Sequence, residues 1–395
     1  MSPPPRRIFI VAGEESGDQL GAALIRALRA RLGDAVSFAG VGSERMHAEG
    51  VVSLFPLSDI AVMGLDAVLA RLPTLIRRIR ATAAAAVAAR PDVVVIVDSP
   101  DFTHRVAKRI RKAAPAIPVV GYVSPSVWAW RPGRAAKMAA YVDHLMAILP
   151  FEPAVHARLG GPPTTYVGHP LLERLDALHP AAGERRPIGD GPPVLLVLPG
   201  SRTSEIGRLT DTFGATVARL SERVGALEVL LPAVPHLAEE IRRRVEGWPV
   251  PPRVLLGEAE KFAAFRRAHA ALAASGTVTL ELAVAAVPMA VAYRLDGFYR
   301  LVRRLNDVVP IVRVSSMVLP NIVLGENAVP EFLEEAVEPE GLSATLAGLL
   351  RDGAERDRQL AAFARLDEVM RLPCGGLPSE RAAEVVLSVM AAGRR

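Results

Sequence analysis

Two aspartates follow the most continuous apolar run of the chain, where a carboxylate could take part in proton transfer. Asp98 and Asp101 come just after the run Pro91–Val97, which is typical of a buried strand. A carboxylate at the carboxyl end of a central parallel strand is well placed to act as a general base. Either side chain could instead cap the helix predicted over Phe102–Ala113, and Asp101 suits that role better because it directly precedes the helix. We therefore predict that Asp98 is the base.

A turn in the second half of the chain combines small residues with an arginine. It lies between the predicted strand Val194–Leu198 and a predicted helix, and it contains Gly200, Ser201 and Arg202. Free backbone N–H groups at the start of a helix bind anions, and a guanidinium group offers a fork of donors to phosphate oxygens. The turn therefore predicts a diphosphate site.

A second loop of small residues leads into another predicted helix. Its N–H and hydroxyl donors come from Ser275, Gly276 and Thr277. Glu281 lies four residues beyond Thr277, on the same side of the helix, where its carboxylate can accept hydrogen bonds from ribose hydroxyls. Glu281 could also be an ordinary exposed helix glutamate.

The loop Gly121–Pro132 contains two of the three tryptophans of the chain. Large aromatic rings are normally kept out of water, so Trp128 and Trp130 should line a ligand or close the bottom of a core. Arg131 follows at once, which places a cation beside the aromatic wall. The combination suits a ligand with an apolar part and an anionic part.

The first predicted strand, Arg7–Val11, also ends in a glycine-bearing loop that leads into a helix. Ser16 and Asp18 lie in this loop and could cap the helix or face a ligand. The glycine spacing is not that of a dinucleotide-binding fingerprint.

Repeated strand, loop and helix patterns over 395 residues predict an α/β protein with two domains. Half of the residues are hydrophobic, which excludes a disordered chain. The chain has 47 basic residues, and only Lys108, Lys112, Lys137 and Lys261 are lysines. The single cysteine, Cys374, excludes an intrachain disulfide and fits a reducing compartment. The arginines are spread along the chain without an aromatic RNA-binding motif, so we expect no nucleic-acid partner.

Several of these segments together resemble the lipid-A-disaccharide synthase family. Tyr122–Arg131 reads Y-V-S-P-S-V-W-A-W-R, which is similar to the signature of that family. The other similar segments are Gly13–Asp18, Val97–Phe102, Leu149–Glu152, Tyr166–Pro170, Tyr293–Arg294 and Leu319–Gly325. The resemblance thus extends over nearly the whole chain.

The resemblance implies a GT-B fold, with two Rossmann-like parallel-sheet domains facing across a cleft. It implies inverting transfer of 2,3-diacylglucosamine from UDP-2,3-diacylglucosamine to 2,3-diacylglucosamine 1-phosphate, giving the β-1,6-linked disaccharide and UDP in lipopolysaccharide biosynthesis. Asp98 would be the base, and no cofactor or metal is expected. The implied donor residues are Gly200, Ser201, Arg202, Ser275, Gly276, Thr277, Glu281 and Asn321. The implied acceptor or cleft residues are Ser16, Asp18, Ser124, Trp128, Trp130 and Arg131.

The segment from Asp59 to Arg80 has leucine, isoleucine and methionine beside an arginine cluster. This is typical of a helix on an anionic bilayer, or of an ordinary amphipathic helix packed on a sheet. The family acts at the membrane surface, so the resemblance implies a cytoplasmic enzyme on the cytoplasmic face of the bacterial inner membrane. The candidate membrane residues are Val62, Met63, Leu65, Leu69, Leu72, Ile76, Arg77 and Arg78.

A polar stretch rich in proline and glycine, 179–193, separates the two halves. We predict an acceptor domain over 1–178, a UDP-sugar domain over 179–375, and a helix over 376–395 that returns to the first domain. Two alternatives stay open: a UDP-sugar 2-epimerase of the same fold, and a non-catalytic peripheral lipid-binding protein. The oligomeric state is open as well, with a homodimer among the possibilities.

Overall fold

The computed structural model describes residues 5–60, 65–294 and 316–393, with the side chains of 65–70 left out. The chain divides into two compact units: Met1–Glu173 with Arg371–Arg395, and Arg174–Met370. The short helix Leu175–Leu178 belongs to the second unit, where it packs on the helix Glu258–Arg267. The structure thus divides the chain at 173/174 and at 370/371, against the predicted 178/179 and 375/376.

The first unit contains a six-stranded parallel sheet in the order β2-β1-β3-β4-β5-β6. The strands are β1 Arg6–Ala12, β2 Val36–Val41, β3 Val93–Val97, β4 Val119–Tyr122, β5 His144–Ala147 and β6 Thr164–Tyr166. The helices are α1 Glu15–Leu32, α2 Glu44–Ala48, α3 Leu65–Ala89, α4 Pro100–Ala113, α5 Gly133–Met138, α6 Glu152–Arg158 and, at the end of the chain, α15 Pro378–Ala392. Every residue of β3 is buried, because helices cover both faces of a parallel sheet.

The C-terminal helix α15 packs against α1. Val385 and Val386 share a buried apolar cluster with Leu24 and Leu28. Arg31 also pairs with Glu384 at 2.8 Å. The last helix is therefore part of the first unit, although the whole second unit precedes it in the chain.

The second unit contains a second six-stranded parallel sheet, in the order β12-β11-β10-β7-β8-β9. Its strands are β7 Val194–Leu198, β8 Glu228–Ala233, β9 Arg253–Leu256, β10 Ala270–Ala274, β11 Met289–Tyr293 and β12 Glu331–Leu333. Its helices are α7 Leu175–Leu178, α8 Thr203–Val224, α9 Ala238–Val245, α10 Glu258–Arg267, α11 Val278–Val284, α12 Leu319–Leu324, α13 Pro339–Leu349 and α14 Ala354–Met370. The predicted α/β architecture with two parallel sheets is confirmed.

The strand order of each sheet changes direction once. In the first unit β2 lies on one side of β1, and β3 to β6 follow one another on its other side, so the direction changes between the paired strands β1 and β3. In the second unit the corresponding neighbours are β7 and β10. Ligands of open α/β sheets bind outside the carboxyl ends of the strands at such a switch point. The loops that follow these four strands are therefore where each unit is expected to bind a ligand.

Candidate active site

The switch point of the second unit opens into a cavity of about 540 Å³. Its walls come from the loops after β7, β8 and β10 and from the first turns of α10 and α11. The lining residues are Leu198, Gly200, Ser201, Arg202, Glu205, Pro232, Ala233, Val234, Pro235, Gly257, Glu258, Lys261, Ala274, Ser275, Gly276, Thr277, Val278 and Glu281. Seven of the eight predicted donor residues line this one cavity, and Asn321 does not.

The turn after β7 is held by the carboxylate of Glu205. The Ser201 N–H donates to Glu205 Oε2 at 3.0 Å, and Arg202 Nη1 donates to Glu205 Oε1 at 2.6 Å. Gly200 has φ 121°, and a Cβ there would lie 2.5 Å from the Glu205 side chain. Only glycine therefore fits at this position. The turn is thus already shaped at the N-terminus of the 22-residue helix α8, where the helix dipole favours an anion.

Another part of the cavity wall comes from the loop after β10 and from Glu281. The Ser275 hydroxyl donates to the Met317 carbonyl at 2.6 Å, which ties this loop to the segment before α12. Thr277 is the N-cap of α11, and Glu281 lies one turn further along. Glu281 Oε2 lies 2.5 Å from Lys261 Nζ.

Asn321 is 2% exposed, and its amide bonds inside the protein. Its Nδ2 donates to the Val329 carbonyl and to Glu331 Oε1, both at 2.9 Å, and its Oδ1 accepts from the Val329 N–H at 2.8 Å. These bonds join α12 to the start of β12. In this structure the Asn321 side chain therefore holds α12 against the start of β12.

Glu205, Lys261 and Glu258 line the cavity but are not among the residues predicted from the sequence. Glu205 occupies the third helical position of α8, where an acidic side chain commonly reaches back to cap the helix. Lys261 is one of only four lysines in an arginine-rich chain. These two features were visible in the sequence, whereas the pairing of Lys261 with Glu281 depends on the fold.

In the first unit, Asp98 lies at the switch point with a strained backbone. Asp98 and Ser99 have φ 50° and 44°, in the left-handed region that costs an ordinary residue about 1–2 kcal/mol. Asp98 Oδ1 accepts the Ser99 N–H at 2.8 Å, and Oδ2 accepts the Ser16 hydroxyl at 3.3 Å. A Cβ on Gly13 would lie 2.3 Å from Ser99 Cβ, so glycine is needed for the β1 loop to approach the β3 loop. Strain of this kind is common at functional sites.

Asp18 is fully buried and caps a different helix from the one considered in the sequence analysis. Its carboxylate accepts the N–H groups of Ser43 at 2.6 Å, Arg45 at 2.9 Å and Met46 at 3.3 Å. These three donors belong to the start of α2. Asp18 therefore connects α1 to α2, and its carboxylate has protein partners in this structure.

The tryptophan loop is anchored by a buried glutamate. Glu152 is 2% exposed; its Oε1 accepts Trp128 Nε1–H at 3.3 Å and its Oε2 accepts the Leu149 N–H at 3.0 Å. Burial raises the pKa of Glu152 to about 7. Ser124 Oγ lies 2.8 Å from Nε2 of His156, whose pKa is lowered by burial. Sequence reasoning did not predict Glu152 or His156 as part of this site.

The two ends of the loop differ in exposure. Trp128 packs edge-on against Phe151, with ring centroids 5.5 Å apart. Trp130 is 38% exposed, and the Arg131 guanidinium lies 4.2 Å from its ring centroid. Arg131 has φ 51°. The loop therefore presents an aromatic surface with a cation stacked on it.

Helix α3 has one face in the core of the first unit and another in solvent. Ile79 is buried, whereas Leu72 is 40% exposed and Arg77 and Arg80 are exposed. Arg78 pairs with Asp59 at 2.5 Å and lies 4.6 Å from the Phe55 ring centroid. Ile76 is partly buried. Val62 and Met63, and the side chains of Leu65 and Leu69, lie outside the described residues.

Among the helices that the structure describes, none is long and apolar enough to cross a membrane. Over the same part of the chain, no group of three or more His, Cys, Asp or Glu side chains is arranged to hold a metal ion.

The lipid-A-disaccharide synthetase family model matches residues 8–372. Lipid-A-disaccharide synthase of Nitrobacter hamburgensis is 54% identical over 389 residues, which cover 98% of this chain and 97% of that protein.

Two solved structures share the fold at low sequence identity. UDP-GlcNAc 2-epimerase of Neisseria meningitidis, bound to UDP-GlcNAc, has a TM-score of 0.63 at 12% identity, covering 98% of this chain and all of that one. MurG of Acinetobacter baumannii has a TM-score of 0.53 at 14% identity, with coverage of 98% and 100%. At such identities the likeness shows the GT-B fold alone, so it does not favour an epimerase. The family match and the high identity decide the activity: this chain belongs to the lipid-A-disaccharide synthases, UDP-sugar-dependent glycosyltransferases of lipid A biosynthesis.

Proposed function

We propose that the enzyme transfers 2,3-diacylglucosamine from UDP-2,3-diacylglucosamine to the 6-hydroxyl of 2,3-diacylglucosamine 1-phosphate. The observation that carries the donor assignment is the cavity of the second unit. It combines, in one lining, an arginine-bearing turn at the start of a long helix with the carboxylate of Glu281. The diphosphate would lie against Ser201 and Arg202, and the ribose against Glu281. The acceptor would be bound by the first unit.

Asp98 is the proposed base. The acceptor 6-hydroxyl attacks C1 of the donor sugar, the bond from C1 to the diphosphate oxygen breaks, and the hydroxyl proton passes to Asp98. The Ser99 N–H and the Ser16 hydroxyl hold the two oxygens of this carboxylate in place. Attack from the face opposite the departing UDP inverts the configuration at C1.

Arg202 and the N-terminus of α8 would stabilise the charge that builds on the departing UDP. Glu205 fixes the turn through the Ser201 N–H and Arg202 Nη1, so the turn is shaped before substrate binds. No metal or cofactor is needed in this scheme, because cationic groups and helix N–H donors take the charge.

The aromatic surface at Trp128 and Trp130 would contact the acyl chains of the acceptor, with Arg131 near its phosphate. Ser124, which belongs to this loop, would act by anchoring the loop to His156 through its hydroxyl.

Release of UDP from UDP-2,3-diacylglucosamine in detergent tests the proposal. We expect release only when 2,3-diacylglucosamine 1-phosphate is present, because the acceptor hydroxyl is the nucleophile. Formation of the disaccharide, followed by mass spectrometry, should match UDP release one for one. UDP release that ignores the acceptor would instead point to hydrolysis or epimerisation. Absence of both UDP binding and release would favour a lipid-binding protein.

We further propose that α3 attaches the enzyme to the cytoplasmic face of an anionic membrane. Arg77 and Arg80 are exposed on a helix whose Leu72 is also exposed, whereas Arg78 already pairs with Asp59. A basic residue near an anionic surface contributes about 1 kcal/mol, so Arg77→Gln with Arg80→Gln should weaken binding to phosphatidylglycerol vesicles about 30-fold.

Sedimentation of the protein with phosphatidylglycerol and with phosphatidylcholine vesicles measures this effect. The pair Arg242→Gln with Arg243→Gln, on exposed positions of α9, removes the same charge from the second unit and is the matched control. Equal binding by both double variants would contradict a role for α3.

A further inference from the structure

Lys261 and Glu281 form an ion pair inside the proposed donor cavity. Nζ of Lys261 lies 2.5 Å from Oε2 of Glu281, and both side chains are largely buried, at 26% and 17% exposed. The ammonium group also lies near two aromatic rings of its own helix, since Nζ is 5.2 Å from the ring centroid of Phe262 and 5.6 Å from that of Phe265. The ammonium group therefore has a defined position on the wall of the cavity.

The pair engages only one oxygen of the carboxylate. Oε2 is buried and has the ion pair with Lys261 but no hydrogen bond of standard geometry, and no side chain of the described part of the chain pairs with Oε1. A carboxylate with one oxygen paired and one open can accept hydrogen bonds from a ligand hydroxyl in a fixed direction. Glu281 is therefore arranged as an oriented acceptor.

The choice of lysine is informative in a chain whose other cations are almost all arginines. An ammonium group is a compact point charge, whereas a guanidinium group offers parallel donors that commonly bind both oxygens of a carboxylate. An arginine at this position would be able to occupy Oε1 as well as Oε2. A lysine leaves Oε1 open.

We infer that Lys261 is a positioning residue for Glu281. By holding Oε2, it orients the carboxylate so that Oε1 accepts a hydrogen bond from the 2′- or 3′-hydroxyl of the nucleotide ribose. The enzyme should then prefer UDP over its deoxyribose analogues, and this preference should depend on Lys261. The inference rests on the proposed donor site and adds a determinant of nucleotide specificity to it.

Calorimetric titration of the full chain with UDP, 2′-deoxy-UDP and 3′-deoxy-UDP tests it. The parent should bind UDP at least about tenfold more tightly than one of the two analogues, because a hydrogen bond to a charged group is lost. Lys261→Met should weaken UDP binding about tenfold while changing binding of that analogue by less than about threefold. The ratio of the two affinities should thus approach one. Lys261→Arg should also lower the ratio, although it keeps the charge.

Arg174→Met is the matched control. Arg174 pairs with Glu258 at 2.5 Å and lies 5.9 Å from the ring centroid of Phe262, so it is a cation on α10 whose paired carboxylate is Glu258 and not Glu281. Its affinity ratio should equal that of the parent. In a Glu281→Gln background, Lys261→Met should cause no further fall in the ratio. Melting temperatures identify any variant that fails to fold.

The outcomes separate the inference from the proposed function. A parent that binds no UDP overturns the donor site and this inference together. A parent that binds UDP without any preference over the deoxy analogues leaves the donor site standing and overturns the role of Glu281 and Lys261. A parent-like ratio in Lys261→Met or Lys261→Arg also overturns it. An equal loss of affinity for all three ligands in Lys261→Met would overturn the inference too, because the ammonium group would then bind the diphosphate.

Discussion

Asp98→Asn is expected to lower the rate of acceptor-dependent UDP release by a factor of about 10²–10⁴, the usual contribution of a general base. Asparagine has the same shape as aspartate but cannot take the proton of the acceptor hydroxyl at neutral pH. It also tolerates positive φ better than most residues, so the backbone at φ 50° should be retained. The variant therefore removes the proton acceptor and keeps the conformation of the loop.

The matched control is Asp101→Asn, three residues further on in the first turn of α4. The Asp101 side chain is 87% exposed and lies 3.7 Å from Arg134, which is a surface contact of small expected energy. Its rate should stay within about threefold of the parent, since such contacts contribute at most about 1 kcal/mol. Binding of UDP should be unchanged in both variants. A large loss in Asp101→Asn with a near-normal Asp98→Asn would transfer the role of base to Asp101.

Glu152→Gln is expected to change how the stability of the first unit depends on pH. Burial raises the pKa of Glu152 in the folded protein to about 7, above its ordinary value of 4.5. Between these values the folded state binds a proton that the unfolded state releases, so the free energy of unfolding falls as the pH rises. The side chain of the Gln variant does not titrate in this pH range. The stability of the parent relative to the variant should therefore fall by about 3 kcal/mol from pH 4.5 to pH 7 and then level off.

Urea unfolding at pH 5 to 8 measures this difference. A Trp248→Phe background leaves Trp128 and Trp130, both in the first unit, as the fluorescent reporters. Comparison with the Gln variant is needed because two buried histidines also titrate. The pKa values of His104 and His169 are lowered to about 4, so their contribution to the free energy of unfolding decreases as the pH falls, whereas that of Glu152 decreases as the pH rises.

Glu384→Gln is the control for this measurement. Hydrogen bonds from Arg381 and Arg31 lower the pKa of Glu384, so its contribution is lost only as the pH falls below its ordinary value. The difference between the parent and this variant should be flat from pH 5 to 8. An equally flat curve for Glu152→Gln would show that Glu152 ionises as freely in the folded protein as in the unfolded chain.

The sequence by itself determined the elements and the residues at their ends. Apolar runs such as 93–97 and 194–198 are strands that must be buried on both faces, and they appear as β3 and β7. The residue types after them, Asp98 and Gly200 to Arg202, carry chemistry that does not depend on how the strands are ordered. The family resemblance rests on Val97–Phe102 and on six other segments, and membership of the family is confirmed.

Only the tertiary structure decided which side chains meet. Ser16 reaches Asp98 because strand order places β1 beside β3, and Asp18 bonds to the start of α2 because β1 also lies beside β2. Lys261 pairs with Glu281 because α10, which connects β9 to β10, packs near the start of α11. Strand order is set by which faces bury together, and a pattern along one strand does not encode its neighbours. The raised pKa of Glu152 has the same origin, since it follows from burial among distant segments of the chain.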